Sequence, residues 1–136
     1  MQPFILIALL AASQFASAQS LDFDFFKERV QPIFTAKRTG HARCIACHTH
    51  RSPPLQPLAA GATSWSDAQA KQNFTIWKQF VVPGQPLKSM LLRHPLSKEA
   101  GGDRFHGGGK HWKSQSDPEW QTLAAWVNGE TLGGKK

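Results

Sequence analysis

Cysteine is scarce in this 136-residue chain, which holds only Cys44 and Cys47. Two thiols cannot staple a small secreted scaffold by several disulfides. They also cannot close a structural zinc shell, which needs four nitrogen or sulfur ligands, and no second CxxC is present. No βαβ pattern flanks the pair, which removes a thioredoxin-like dithiol. Long apolar runs are missing too: the stretch Phe4 to Ala12 is too short to span a bilayer. Acidic residues are few, 9 against 16 Lys and Arg, giving a formal net charge of +7. The basic residues are nevertheless scattered and no recognition motif gathers them, so nucleic acid is excluded as a partner. Period-2 alternation and internal repeats are also lacking. The expected fold class is therefore mainly α, with long loops.

What the chain does have is Cys44-Ile45-Ala46-Cys47-His48, the CxxCH attachment sequence for a c-type haem. The spacing follows from helix geometry. Positions i, i+3 and i+4 share one face of a turn, so both thiols can reach the two vinyl groups of one porphyrin. His48 then lies on that same face, where its imidazole is the expected proximal iron ligand. With both cysteines committed to one covalent haem c, no thiol is left for a disulfide.

The N-terminus agrees with that chemistry. Phe4 to Ala12 reads as a secretory h-region and Ala16-Ser17-Ala18 as an A-x-A cleavage site, although Met1 to Ala18 contains no Lys or Arg. A signal peptide over residues 1–18 and one domain over 19–136 are expected, with the mature protein periplasmic or secreted. Such a domain has a modest core, to which a buried porphyrin would add apolar surface. Its basic charge either serves solubility or suits anionic partners: redox proteins with acidic docking surfaces, or lipid headgroups at a membrane surface.

Periodicity predicts a first helix over 22–34, with Phe23, Phe26, Val30 and Phe34 on one face and a kink or restart near Val30-Gln31 imposed by Pro32. Pro53, Pro54 and Pro57 keep 49–63 irregular. A second helix is expected over 66–81, burying Ala70, Phe74, Trp77 and Val81 before Pro83-Gly84 stops it. A short helix then runs from Pro86 through Leu92 and closes at His94-Pro95. The last helix opens on Asp117-Pro118, ends near Gly129 and buries Trp120, Leu123, Ala124 and Val127. The Gly-Gly-Lys-Lys tail is expected to fray. Trp65, Trp77 and Trp112 either line a cofactor pocket or fill core.

An electron-carrying haem needs a sixth iron ligand, and four downstream residues qualify: Met90, His94, His106 and His111. Met90 reads as an ordinary core methionine in Ser89-Met90-Leu91-Leu92, and His94 as a helix terminator. His106 and His111 lie in the glycine-rich stretch 101–112. That stretch has no helical period and no strand–loop–helix context for a phosphate, and its glycines would let backbone approach a flat ring.

The order CxxCH, PGxPxxSxLL, distal segment and Trp-containing terminal helix resembles the small class I-type cytochrome c domains of planctomycete and acidobacterial secreted proteins. The matching stretches are Val30 to Phe34, Cys44 to His48, Pro83 to Leu92 and Leu123 to Val127. The resemblance implies a cytochrome c-like helical domain around one covalent haem. In that family a Met-Pro pair supplies the distal methionine, whereas the corresponding slot here reads Phe105-His106-Gly107-Gly108. The registration therefore implies His106 as distal ligand, with Met90, His111 and His94 as alternatives. Arg43, beside the attachment turn, is either a propionate neighbour or a solvated arginine. The expected function is one-electron transfer outside the cytoplasmic membrane, without enzymatic activity. The rival readings are a haem-bearing subunit of a larger respiratory assembly and a peroxidase-like haem enzyme.

Overall fold

The computed structural model describes residues 20–135, so the expected signal peptide and its cleavage site lie outside the described residues. The chain is mainly helical. Asp22 caps the first helix, its carboxylate accepting from the Phe25 amide at 2.7 Å. This helix is built in three pieces: α1 (Phe23–Phe25), a π-helical stretch Phe26–Val30, and α2 (Gln31–Thr35). Pro32 sits in the first turn of α2, where its missing amide costs nothing, and the widened π stretch absorbs the mismatch ahead of it. The restart therefore falls where the proline required it.

α3 (Cys44–His48) is a single turn. No helix or strand interrupts the proline-rich segment that follows it until α4 (Asp67–Trp77), which starts on a reciprocal Ser66–Gln69 capping box. A 3₁₀ turn, Lys78–Phe80, prolongs α4, but Val81 is already extended, so this helix is shorter than periodicity predicted. The next predicted helix is divided. Pro86–Lys88 is 3₁₀, and Ser89 interrupts it before α5 (Met90–Arg93) because its buried hydroxyl accepts from the Val82 amide and donates to the Gln85 carbonyl. Another 3₁₀ turn spans Lys98–Ala100. α6 (Pro118–Val127) has the Asp117 cap at 2.9 Å from the Glu119 amide.

One expectation fails at the C-terminus. Glu130–Thr131 (β1) pairs with Gly134–Lys135 (β2) as an antiparallel hairpin instead of fraying. Two-residue strands carry no alternation to read, and the hydrogen bond from the Thr131 hydroxyl to the Gly134 carbonyl at 2.6 Å is a local contact.

The core joins the first helix to α6. Phe26, Val30 and Phe34 are buried as their spacing implied, with Phe25 and Ile33 alongside. Phe26 lies 5.2 Å from Trp126, whose indole N–H donates to the Asp22 carbonyl across 104 residues. Asn73 is fully buried yet satisfied, accepting from the Gln56 amide and donating to Gln31. Gly102 fits against the Leu96 carbonyl so closely that a Cβ would lie 1.9 Å from its oxygen, which seats the start of the 101–112 segment against the stretch that follows α5. That glycine serves the chain's own packing. Among the described residues no helix is long and apolar enough to cross a membrane.

Leu123 is fully buried and Leu132 is 47 % exposed. Leu123→Ala is expected to destabilise the protein by about 3 kcal/mol. Leu132→Ala should cost less than about 0.5 kcal/mol. Urea denaturation followed by tryptophan fluorescence measures both.

Candidate cofactor site

A cavity of about 500 Å³ opens between α3, α5 and the glycine-rich segment. That volume falls within the range of about 300–1,000 Å³ common for small-molecule and cofactor sites. Cys44, Cys47 and His48 line it together with Met90, His94, His106 and His111. Every residue singled out from the sequence as an anchor or ligand thus borders one space. Ile33, Phe34, Trp77, Leu91 and Trp112 supply apolar wall.

A one-turn helix such as α3 has too few internal hydrogen bonds to fix its side chains, so the neighbouring segments do it. The proline-rich loop returns under α3, where the Leu55 amide donates to the His48 carbonyl at 2.7 Å. His48 Nδ1 lies 2.8 Å from the Pro53 carbonyl. A carbonyl can only accept, so Nδ1 carries the proton and Nε2 keeps its lone pair. The Trp77 ring meets the imidazole edge-on at 5.1 Å, and its indole N–H holds the Pro54 carbonyl at 3.0 Å. Trp77 and Trp112 are therefore both core and cavity wall, while Trp65 belongs to the core alone and donates to the Gln56 carbonyl.

Cys44 and Cys47 are free thiols, each partly buried. Arg38, 11 % exposed, lies behind Cys44. Its guanidinium donates to Glu119 at 2.6 Å, to the Ile33 carbonyl at 2.9 Å and to the Cys44 sulfur at 3.9 Å. Glu119 also accepts from the Trp112 indole at 3.0 Å. Burial raises the Cys44 thiol pKa, and the Arg38 charge opposes that rise.

The other ligand candidates differ in their supports. His106 Nδ1 donates to the Gly109 carbonyl at 2.7 Å, which again leaves Nε2 unprotonated, and burial lowers its pKa. His94 Nδ1 pairs with the Asp103 carboxylate, which Arg93 also engages at 2.7 Å. The His94 and His106 rings are nearly parallel with centroids 6.4 Å apart. His111 lies 4.9 Å from the His41 ring and 5.9 Å from that of His106. A Cβ on Gly108 would come within 3.2 Å of His106, so the glycine makes room for these rings. Met90 departs from the sequence reading: it is 41 % exposed at the cavity, not packed in the core. Phe105, also lining the cavity, is 77 % exposed.

A c-type haem fits this set of residues. Two free thiols and a deprotonated imidazole nitrogen meet at an apolar cavity, with further imidazoles bordering it. Among the described residues no acidic side chain lines the cavity, whereas Arg43 and Arg51 are present to face carboxylates such as propionates. Among the described residues no three His, Cys, Asp or Glu side chains form a metal cage. A porphyrin brings four nitrogens of its own and asks the chain for axial ligands only. Sequence reasoning missed the Pro53 carbonyl, the Arg38–Glu119–Trp112 chain and the His94–Asp103 pair. No family model, curated protein or solved structure matches this chain.

Burial lowers the His111 pKa to about 4, with Arg38 and then His41 adding repulsion. The unfolded chain therefore binds more protons than the native one between about pH 4 and the ordinary histidine value near 6.5. Stability gained from keeping His111 neutral is complete above that window and declines as pH falls through it. His111→Gln is expected to flatten this dependence in urea midpoints measured from pH 4 to 7. An unchanged slope would contradict the assignment.

Proposed function

We propose that this chain is a monohaem c-type cytochrome, with a cytochrome c-like helical fold, that carries one electron outside the cytoplasmic membrane. The observation that carries the proposal is the shared wall of Cys44, Cys47 and His48, with the His48 Nδ1 proton engaged by Pro53 so that Nε2 is free. Cys44 and Cys47 are the covalent anchors, His48 the proximal ligand and His106 the distal ligand. The haem supplies a one-electron iron couple when bound.

The chain's own residues do the rest. Pro53 and Trp77 orient His48, and the hydrogen bond from Nδ1 raises its basicity as a ligand. Gly109 does the same for His106. Phe34, Leu91, Trp77 and Trp112 keep water from the interior of the cavity, while Arg43 and Arg51 offer counter-charge to propionates. Met90 and Phe105 present apolar surface that a bound ring would cover. The basic surface draws redox partners with acidic docking faces, and it suits association with anionic headgroups. Export with cleavage after Ala18 belongs to the same reading, and N-terminal sequencing of the secreted form should begin at Gln19.

One observation favours a second reading. His94, held by Asp103 beside His106, has the form of a distal acid–base group, as a peroxidase-like site would require. Spin state separates the two: the cytochrome is low-spin with both axial positions filled, the enzyme high-spin with one open.

His48→Ala should abolish stable holoprotein, because ligation and its coupling to folding are lost together. His106→Ala should convert a low-spin spectrum to high-spin or admit water, and Met90→Leu should leave it unchanged. Near-infrared magnetic circular dichroism reports both results. A methionine–iron charge-transfer band that disappears in Met90→Leu would reassign the distal ligand to Met90. Imidazole favours ferric iron more than a thioether does, so the potential should lie below that of His/Met cytochromes.

A further inference from the structure

Arg38 lies six residues outside the attachment turn, yet it touches that turn at one chosen atom. Its guanidinium is nine-tenths buried and anchored on three sides: the Ile33 carbonyl in α2, the Ala36 carbonyl, and Glu119 in α6. Glu119 is itself fixed by the Trp112 indole. The remaining N–H group reaches Cys44 Sγ. Among the described residues, no such donor meets the sulfur of Cys47. An arginine tied both to α2 and to Glu119, 81 residues further along the chain, has little freedom, so it holds the sulfur that it contacts in one place.

We propose that Arg38 is the positioning residue for Cys44, holding that thiol at the cavity wall for thioether formation, while Cys47 attaches without its help. The inference rests on the cytochrome reading. In the step concerned, the Cys44 sulfur bonds to the vinyl carbon nearest the ring and the thiol hydrogen ends on the terminal carbon. The carbon–carbon double bond becomes single, and no external oxidant or reductant is consumed. The requirement is therefore geometric: a reduced thiol must be held against one vinyl group. Burial alone would leave Cys44 with no polar partner at its sulfur, and Arg38 supplies one whose charge also opposes the burial-induced rise in the thiol pKa.

The test uses the full chain expressed with bacterial haem-maturation machinery. Denaturing alkylation and peptide mass analysis then count free and haem-bound sulfur at each cysteine. In Arg38→Gln the fraction of haem-bearing chains with Cys44 free should rise about tenfold, the loss expected of one charge-assisted contact, while Cys47 stays attached. Arg38→Lys retains charge without the fork and should fall between the wild type and Arg38→Gln. If Arg38→Gln yields no soluble protein, Glu119→Gln removes the guanidinium's carboxylate anchor and should show the same loss confined to Cys44, smaller in size. Full attachment at both cysteines in these variants would overturn the role of Arg38. Equal loss at both would overturn it too, because a merely structural arginine would not distinguish them. A wild-type chain with no haem on either cysteine would remove the cytochrome reading itself, an outcome distinct from both.

Discussion

The hydrogen bond between His48 Nδ1 and the Pro53 carbonyl is the interaction on which the proposed site depends. A one-turn helix cannot direct three side chains by itself, since nucleating a helix costs more than one turn returns. The direction of His48 comes from a loop that three prolines keep out of regular structure. That loop is fastened in turn by Trp77 at Pro54 and by Trp65 at Gln56. Removing the loop's hold would leave the imidazole free to rotate and to change which nitrogen carries its proton. The prolines therefore matter for the carbonyl they place as much as for the structure they forbid.

The same dependence on distant parts extends to the other walls. α6 packs on the first helix through Trp126 and Phe26, and through Glu119 it also reaches Arg38. The first helix and α6 thus brace the Cys44 side of the cavity, which α5 and the glycine-rich segment also line. In a domain of this size, such a cavity takes up space that core side chains would otherwise fill. A tightly bound occupant would add its binding free energy to folding. The exposed Met90 and Phe105 fit the proposed reading, in which a bound ring would cover their apolar surface.

Much of this was legible in the sequence because the signals are local. CxxCH puts three side chains on one face of a turn by spacing alone, although their final directions come from the neighbouring segments. The phenylalanine steps and Asp117-Pro118 gave two helices, and Pro32 marked the restart in the first of them. The losses depend on partners that no local period encodes, or on segments too short to carry a pattern. Ser89 divides the α5 region because its hydroxyl serves the Val82 amide, a bond with no periodicity. Met90 read as core because it sits among leucines, yet the turn points it at the cavity. The C-terminal hairpin was missed because strands of two residues have no pattern. Arg38 looked like any basic residue on a +7 chain, and its worth depends on Glu119, 81 residues away. His94 read as a helix stop and a fallback ligand, and only the position of Asp103 adds an acid–base role.

The central claim is a covalent bond between this chain and one haem, and acid–acetone extraction of the purified secreted protein tests it most directly. Non-covalent haem passes into the acetone, whereas haem joined by thioethers stays with the precipitated polypeptide. The account predicts that the haem remains on the peptide containing Cys44 and Cys47. Complete extraction into acetone, or a purified protein that carries no haem, would contradict it.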